Sequence, residues 1–148
     1  MQRQQGFTLV ELLVVVAVLG IVSAIAMASL GNALDKGKQK RSMADLRSIA
    51  EATEAYHIDQ GTYPKGVPDW ATLETFVSPF FIKAPPTSDG WNHIWTVAID
   101  GAGASYTLVS LGKDGTPSSW TGGMTGSFNC DIVFSNGQFF QWPQGTQS

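Results

Sequence analysis

The stretch Gly6-Phe7-Thr8-Leu9-Val10-Glu11, running on as LLVVVAVLGIVSAIAMASL to Leu30, decides how the whole chain is read. Between Phe7 and Leu30 there is one charge, Glu11. As a helix these residues span about 36 Å, enough to cross a hydrocarbon core of about 30 Å. A basic start at Arg3 and the small-residue sites Ala24-Ile25-Ala26 and Ala26-Met27-Ala28 allow an ordinary secretory signal, which would leave a secreted soluble binding domain. A plain membrane anchor is a second reading. A third is a short leader removed ahead of the apolar helix, which then stays on the mature protein.

Glu11 discriminates among these. A carboxylate inside a membrane segment costs about 2–3 kcal/mol on insertion scales and is usually functional. Neither a signal peptide nor a simple anchor gains from it. Cleavage after Gly6 would free an α-amino group on Phe7, four residues from Glu11. In an apolar assembly, Glu11 of one subunit and the Phe7 amine of its neighbour neutralise each other and fix the axial stagger, because an unpaired buried charge penalises other registers.

The string Gly6-Phe7-Thr8-Leu9-Val10-Glu11, opening a long apolar helix, resembles the signature of type IV pilins and type II secretion pseudopilins. The resemblance implies that a prepilin peptidase cuts after Gly6 and N-methylates Phe7, and that Glu11 serves assembly register. It divides the chain into a leader (1–6), a membrane and filament-core helix (7–30) and a periplasmic domain (31–148) that includes the second half of the long helix. Lys36, Lys38, Lys40 and Arg41 follow the apolar run, so simple charge counting places the C-terminal side in the cytoplasm. The resemblance places it outside, and the motif is the more specific signal.

The remaining sequence is polar and rich in Gly, Ser and Thr. A net charge of −3 gives no basic footprint for nucleic acid. Cys130 is the only cysteine, which excludes an intrachain disulfide, and it reads as a small buried residue. Met43, Leu46, Ile49, Ala50, Thr53 and Tyr56 recur at helical spacing, and no proline interrupts the chain from Phe7 to Tyr63. One helix therefore continues to about His57, with Gly61 and Pro64 as its stop. A short helix is expected within 69–82, capped by Asp69 or Thr72. Strands follow at Trp91–Ile99 and Tyr106–Leu111, then a loop at 112–127. A hairpin turning at Asn136-Gly137 joins strands 131–134 and 138–142. The expected class is α+β, a long N-terminal helix packed on a small antiparallel sheet, a pilin-like fold.

Within that superfamily, Gly61-Thr62-Tyr63-Pro64, Asp89-Gly90-Trp91-Asn92-His93-Ile94-Trp95, Ser110-Leu111-Gly112-Lys113-Asp114-Gly115 and Asn129-Cys130-Asp131-Ile132 resemble motifs of the major pseudopilin of type II secretion. That branch binds calcium in its last loop. Carried over, the ligands are the Leu111 carbonyl, Asp114, Asn129 and Asp131. Ca²⁺ takes six to eight oxygens, yet Asn129 stands where the branch has an aspartate, and 116–128 holds no acid. The alternative is a simple Asp114-Gly115 turn, with Trp120 and Phe128 pinning the loop by burial.

No catalytic motif appears, and His57 and His93 lack metal-ligand spacing. His57 reads as helix-end chemistry and His93 as the outer face of a strand. The aromatic residues Trp91, Trp95, Trp120, Phe139, Phe140 and Trp142 could form a binding surface, though most are expected in the core. The resemblance thus implies a non-enzymatic structural subunit. It would be held in the inner membrane as a single pass and polymerise into a periplasmic filament with copies of itself and minor pseudopilins, on an inner-membrane assembly platform. A type IV pilus subunit for adhesion, motility or DNA uptake is the alternative.

Overall fold

The computed structural model describes residues 6–145. Of the expected leader, only Gly6 falls inside that range. The chain divides into two compact units between Leu34 and Asp35.

Helix α1 runs from Leu9 to Gln60, three residues beyond the expected end. In the first unit, its large apolar side chains are exposed along the whole length, from Leu9 at 89% to Leu34 at 59%. In the second unit the amphipathic stripe holds. Leu46, Ile49, Ala50 and Thr53 are buried, and Met43 packs partly against the core. The buried Thr53 hydroxyl donates to the Ile49 carbonyl one turn back (2.9 Å), so it needs no partner from the sheet. Gly61 stops the helix at φ +77°, a left-handed conformation that glycine adopts without penalty.

Helix α2 spans Trp70–Val77. Its N-cap is Asp69, whose carboxylate accepts from the Thr72 amide (2.9 Å) and hydroxyl (2.7 Å). These bonds hold its carboxyl below the ordinary range. The helix ends at Val77, short of the expected limit, because Pro79 disfavours helical backbone at Ser78, the extended C-cap before it.

The sheet has five strands: β1 (Thr96–Ile99), β2 (Tyr106–Ser110), β3 (Gly123–Thr125), β4 (Ile132–Ser135) and β5 (Gln138–Pro143). Their order is β1-β2-β4-β5-β3. The β4–β5 hairpin turns at Asn136 (φ 48°) and Gly137 (φ 84°), as the Asn-Gly pair predicts. Two expectations are corrected. The stretch 112–127 is not all loop, since β3 pairs with β5, and it does so in parallel. The first strand begins at Thr96 rather than Trp91, because residues 89–93 are folded into a turn around the Asp89 carboxylate.

The core joins α1, α2 and one face of the sheet: Leu46, Ile49, Trp70, Leu73, Val77, Trp95, Val97, Tyr106, Leu108, Ile132 and Phe134. On the opposite face, Val109 and Val133 are paired across β2 and β4 and also buried. Phe128, from the segment between β2 and β4, is buried too, at 4% exposed. That segment therefore shields the second face. An extra residue at Phe140 shifts the β4–β5 register. Beyond it, Gln141 reaches the segment, accepting from the Thr121 amide (3.2 Å) and donating to the Asp131 carbonyl (2.9 Å).

Candidate functional site

The expected site residues and their polar neighbours fall in three places among the described residues. The first is the start of α1. Gly6 and Phe7 precede the helix and are exposed. Glu11 Oε2 accepts from both the Thr8 amide (2.9 Å) and the Thr8 hydroxyl (2.8 Å), and the Glu11 amide donates back to that hydroxyl (3.3 Å). This is a capping box, with Thr8 as N-cap and Glu11 three residues on. Both contacts fall on Oε2. The spacing Thr8-x-x-Glu11 is the sequence signature of this box and gives Glu11 a local role besides the intermolecular one expected of it.

The second place is a hub between α1 and the loops at the end of β2. Asp89 is 1% exposed and fully used: Oδ1 accepts from the Trp91 and His93 amides (both 2.9 Å), and Oδ2 from the Ser110 hydroxyl (2.7 Å). Gly90 lies against the backbone of Lys38, so close that a Cβ would collide with the Lys38 carbonyl, and its amide donates to Ser42 Oγ (2.9 Å). Asp35 receives the Trp91 indole N–H (3.1 Å) and the Lys113 ammonium (2.7 Å). Lys113 above all, with Trp91, holds the Asp35 carboxyl below its usual range. His93 is not on a strand as expected; its Nδ1 lies 2.9 Å from the Gly112 carbonyl. His57 stacks on Tyr63 with centroids 4.3 Å apart rather than standing free in solvent.

The third place is the segment expected to hold calcium. Its two halves do come together. Gly112, at φ +68°, sits so close to the Phe128 and Cys130 carbonyls that a Cβ would lie 2.8 Å from each, and the Lys113 amide donates to the Phe128 carbonyl (2.8 Å). Cys130 is half-buried rather than buried, and free. The individual ligands fare differently. Leu111 is half-buried at the end of β2. Asp114 is exposed and its Oδ1 accepts from the Thr116 amide (3.1 Å), the alternative turn reading. Asn129 is exposed. Asp131 is completely buried, and its Oδ2 accepts from the Ser118 amide (3.0 Å) and the Trp120 indole N–H (2.9 Å). Within the expected ligand set, Asp131 Oδ1 is a buried oxygen without a hydrogen-bond partner among the described residues. Among the described residues no three His, Cys, Asp or Glu side chains converge as a metal-ligand group. The set holds two carboxylates, one of which has its Oδ2 on two protein N–H groups and the other its Oδ1 on a turn amide; this falls short of the six to eight oxygens Ca²⁺ takes, so the donor set fits the ion poorly.

A long helix with a capped carboxylate at its start and an apolar surface over its first unit, continuing into a helix packed on a small sheet, defines a pilin-like subunit. Comparison with known proteins places it further. Residues 1–27 match the family model for the prokaryotic N-terminal methylation motif, and residues 29–124 match that for type II secretion system protein G. Several proteins named type II secretion system core protein G are similar over most of their length. That of Pseudomonas aeruginosa is 30% identical, covering 78% of this chain and 89% of its own. That of Vibrio cholerae is 29% identical, covering 87% and 94%. That of Xanthomonas campestris is 28% identical, covering 88% and 90%. The chain belongs to the type II secretion system protein G family.

Proposed function

We propose that this chain is a structural subunit of a type II secretion pseudopilus, cut after Gly6, methylated on Phe7 and polymerised through residues 7–30. The observation that carries the reading is the apolar surface of the first unit. Phe7, Leu9, Leu13, Ile21, Ile25 and Leu30 are each more than half exposed, on a segment whose one carboxylate is Glu11. Such a surface needs either lipid or further copies of itself. Before assembly it sits in the inner membrane as a single pass, with the domain in the periplasm. During assembly, lipid contacts are exchanged for helix–helix packing in a periplasmic filament of this chain and minor pseudopilins. The prepilin peptidase and the inner-membrane assembly platform act on it in turn, and no catalytic step falls to the chain itself.

Glu11 supplies the register. The capping box occupies Oε2, and Oε1 receives the Phe7 amine of a neighbouring subunit. The test is Glu11→Ala expressed with the secretion machinery. It is processed to a chain beginning at N-methyl-Phe7 but gives little filament. Wild-type filament yield from this variant would sink the proposal.

A further inference from the structure

The segment from Gly112 to Asp131 has neither a disulfide nor a continuous apolar face of its own, yet its backbone is tied at several points by protein groups. The tie at the centre is unusual in its chemistry. Asp131 is 0% exposed and directs Oδ2 at two N–H donors thirteen and eleven positions earlier, the Ser118 amide and the Trp120 indole. The Asp131 amide returns a longer bond to Ser118 Oγ (3.4 Å). Gln141 clamps the same strip from β5, holding the Thr121 amide and the Asp131 carbonyl. Trp120 remains 45% exposed, so its position is set by this N–H···carboxylate bond more than by burial of its ring.

With two N–H donors on it, Asp131 Oδ2 has both its lone pairs taken and none left for a divalent cation, and residues 116–128 supply no further carboxylate. The two remaining side-chain donors in the expected ligand set, Asp114 and Asn129, are exposed, and Asp114 is committed to its own turn. We infer that this chain closes its 112–131 segment with the Trp120 indole and Ser118 amide on Asp131, in place of a calcium ion. The indole N–H and the Ser118 amide supply the positive dipoles that face Oδ2, while Asp131 Oδ1 has no hydrogen-bond partner among the described residues. The segment then folds and persists in calcium-free solution.

The test uses the full chain in detergent micelles, with calcium chloride in one sample and excess EGTA in the other. Thermal unfolding and equilibrium binding of radiolabelled calcium are both measured. The expected result is the same Tm in the two solutions and no stoichiometric binding. Trp120→Phe keeps a ring but deletes the donor, and it lowers Tm by about 3–6 °C, with new proteolytic cleavage between 112 and 131. A Tm that rises with calcium, stoichiometric calcium binding, or a Trp120→Phe chain as stable and protease-resistant as the wild type would overturn the inference. Should Trp120→Phe fail to accumulate, the two wild-type measurements decide alone. Failure here leaves the pseudopilus reading intact, since that reading is tested at Glu11.

Discussion

Asp35 and Lys113 are 78 positions apart in the chain and meet at 2.7 Å, joining helix α1 to the turn after β2. The carboxylate is nearly buried while the ammonium is half exposed, and the Trp91 indole completes the carboxylate's environment. A hydrogen bond between charged groups at such a site contributes about 1.5–3 kcal/mol, less where solvent screens one partner. The same three residues tie together the helix, the 89–93 turn and the 112–131 segment.

The pH dependence of this contact has a definite sign. The Asp35 carboxyl is depressed in the folded chain by Lys113 and Trp91. Its contribution is therefore present above the unfolded value of about 4 and is lost as pH falls through the lower folded value. Asp35→Asn is expected to be less stable than wild type at pH 7, with the gap closing below pH of about 4. Thermal unfolding across that range checks it, and a gap independent of pH would remove the ion pair from the account.

Gly90 is expected to tolerate no side chain. Gly90→Ala places a methyl group against the Lys38 carbonyl and separates the turn from Ser42, for a loss of about 1–3 kcal/mol. Gly101→Ala is the control, since a Cβ there meets nothing within 4 Å. Equal thermal stability of the two variants would mean that the 89–93 turn can move off the helix at little cost.

Thr8→Ala removes the hydroxyl from the capping box but keeps the Thr8 amide on Glu11. Loss of an N-cap hydroxyl costs about 1 kcal/mol. Filament yield is expected to fall between that of wild type and that of Glu11→Ala. A yield equal to wild type would show that Glu11 is placed without help from Thr8.

Tyr63 Oη donates to Glu54 (2.9 Å), and burial together with that carboxylate pushes the phenol up to about 12. An unfolded tyrosine ionises near 10. Between about pH 10 and 12 the unfolded chain releases a proton that the folded chain keeps, so stability falls as pH rises. Tyr63→Phe loses about 1 kcal/mol at neutral pH and shows a shallower alkaline decline. An unchanged slope in denaturant titrations over that range would rule Tyr63 out as its source.

What the sequence disclosed follows from how local each signal is. The stripe from Met43 to Tyr56, the Asp69 cap and the Asn136-Gly137 turn each depend on residues within one or two turns of each other, and all three stand in the fold. The strand at 123–125 had no such signal. Gly123-Met124-Thr125 has neither alternation nor β-branching enough to declare itself, and it is a strand because β5 lies beside it. β1 starts at Thr96 and not at the expected Trp91 because Asp89 draws two downstream amides to itself, a local turn hidden in an aromatic, β-rich run. The candidate site divides the same way. Glu11 was legible as a lone carboxylate in an apolar segment, whereas the bond between Trp120 and Asp131 exists only once residues eleven positions apart are folded together.

The place of β3 in the sheet also sets an order in time. Its partner β5 lies later in the chain, so residues 123–125 leave the ribosome, and any membrane channel, before the strand they pair with exists. That pairing can form only once β5 has been made. Until residues 138–143 arrive, Gly123–Thr125 therefore presents its backbone without the strand it pairs with, open to a protease or a chaperone.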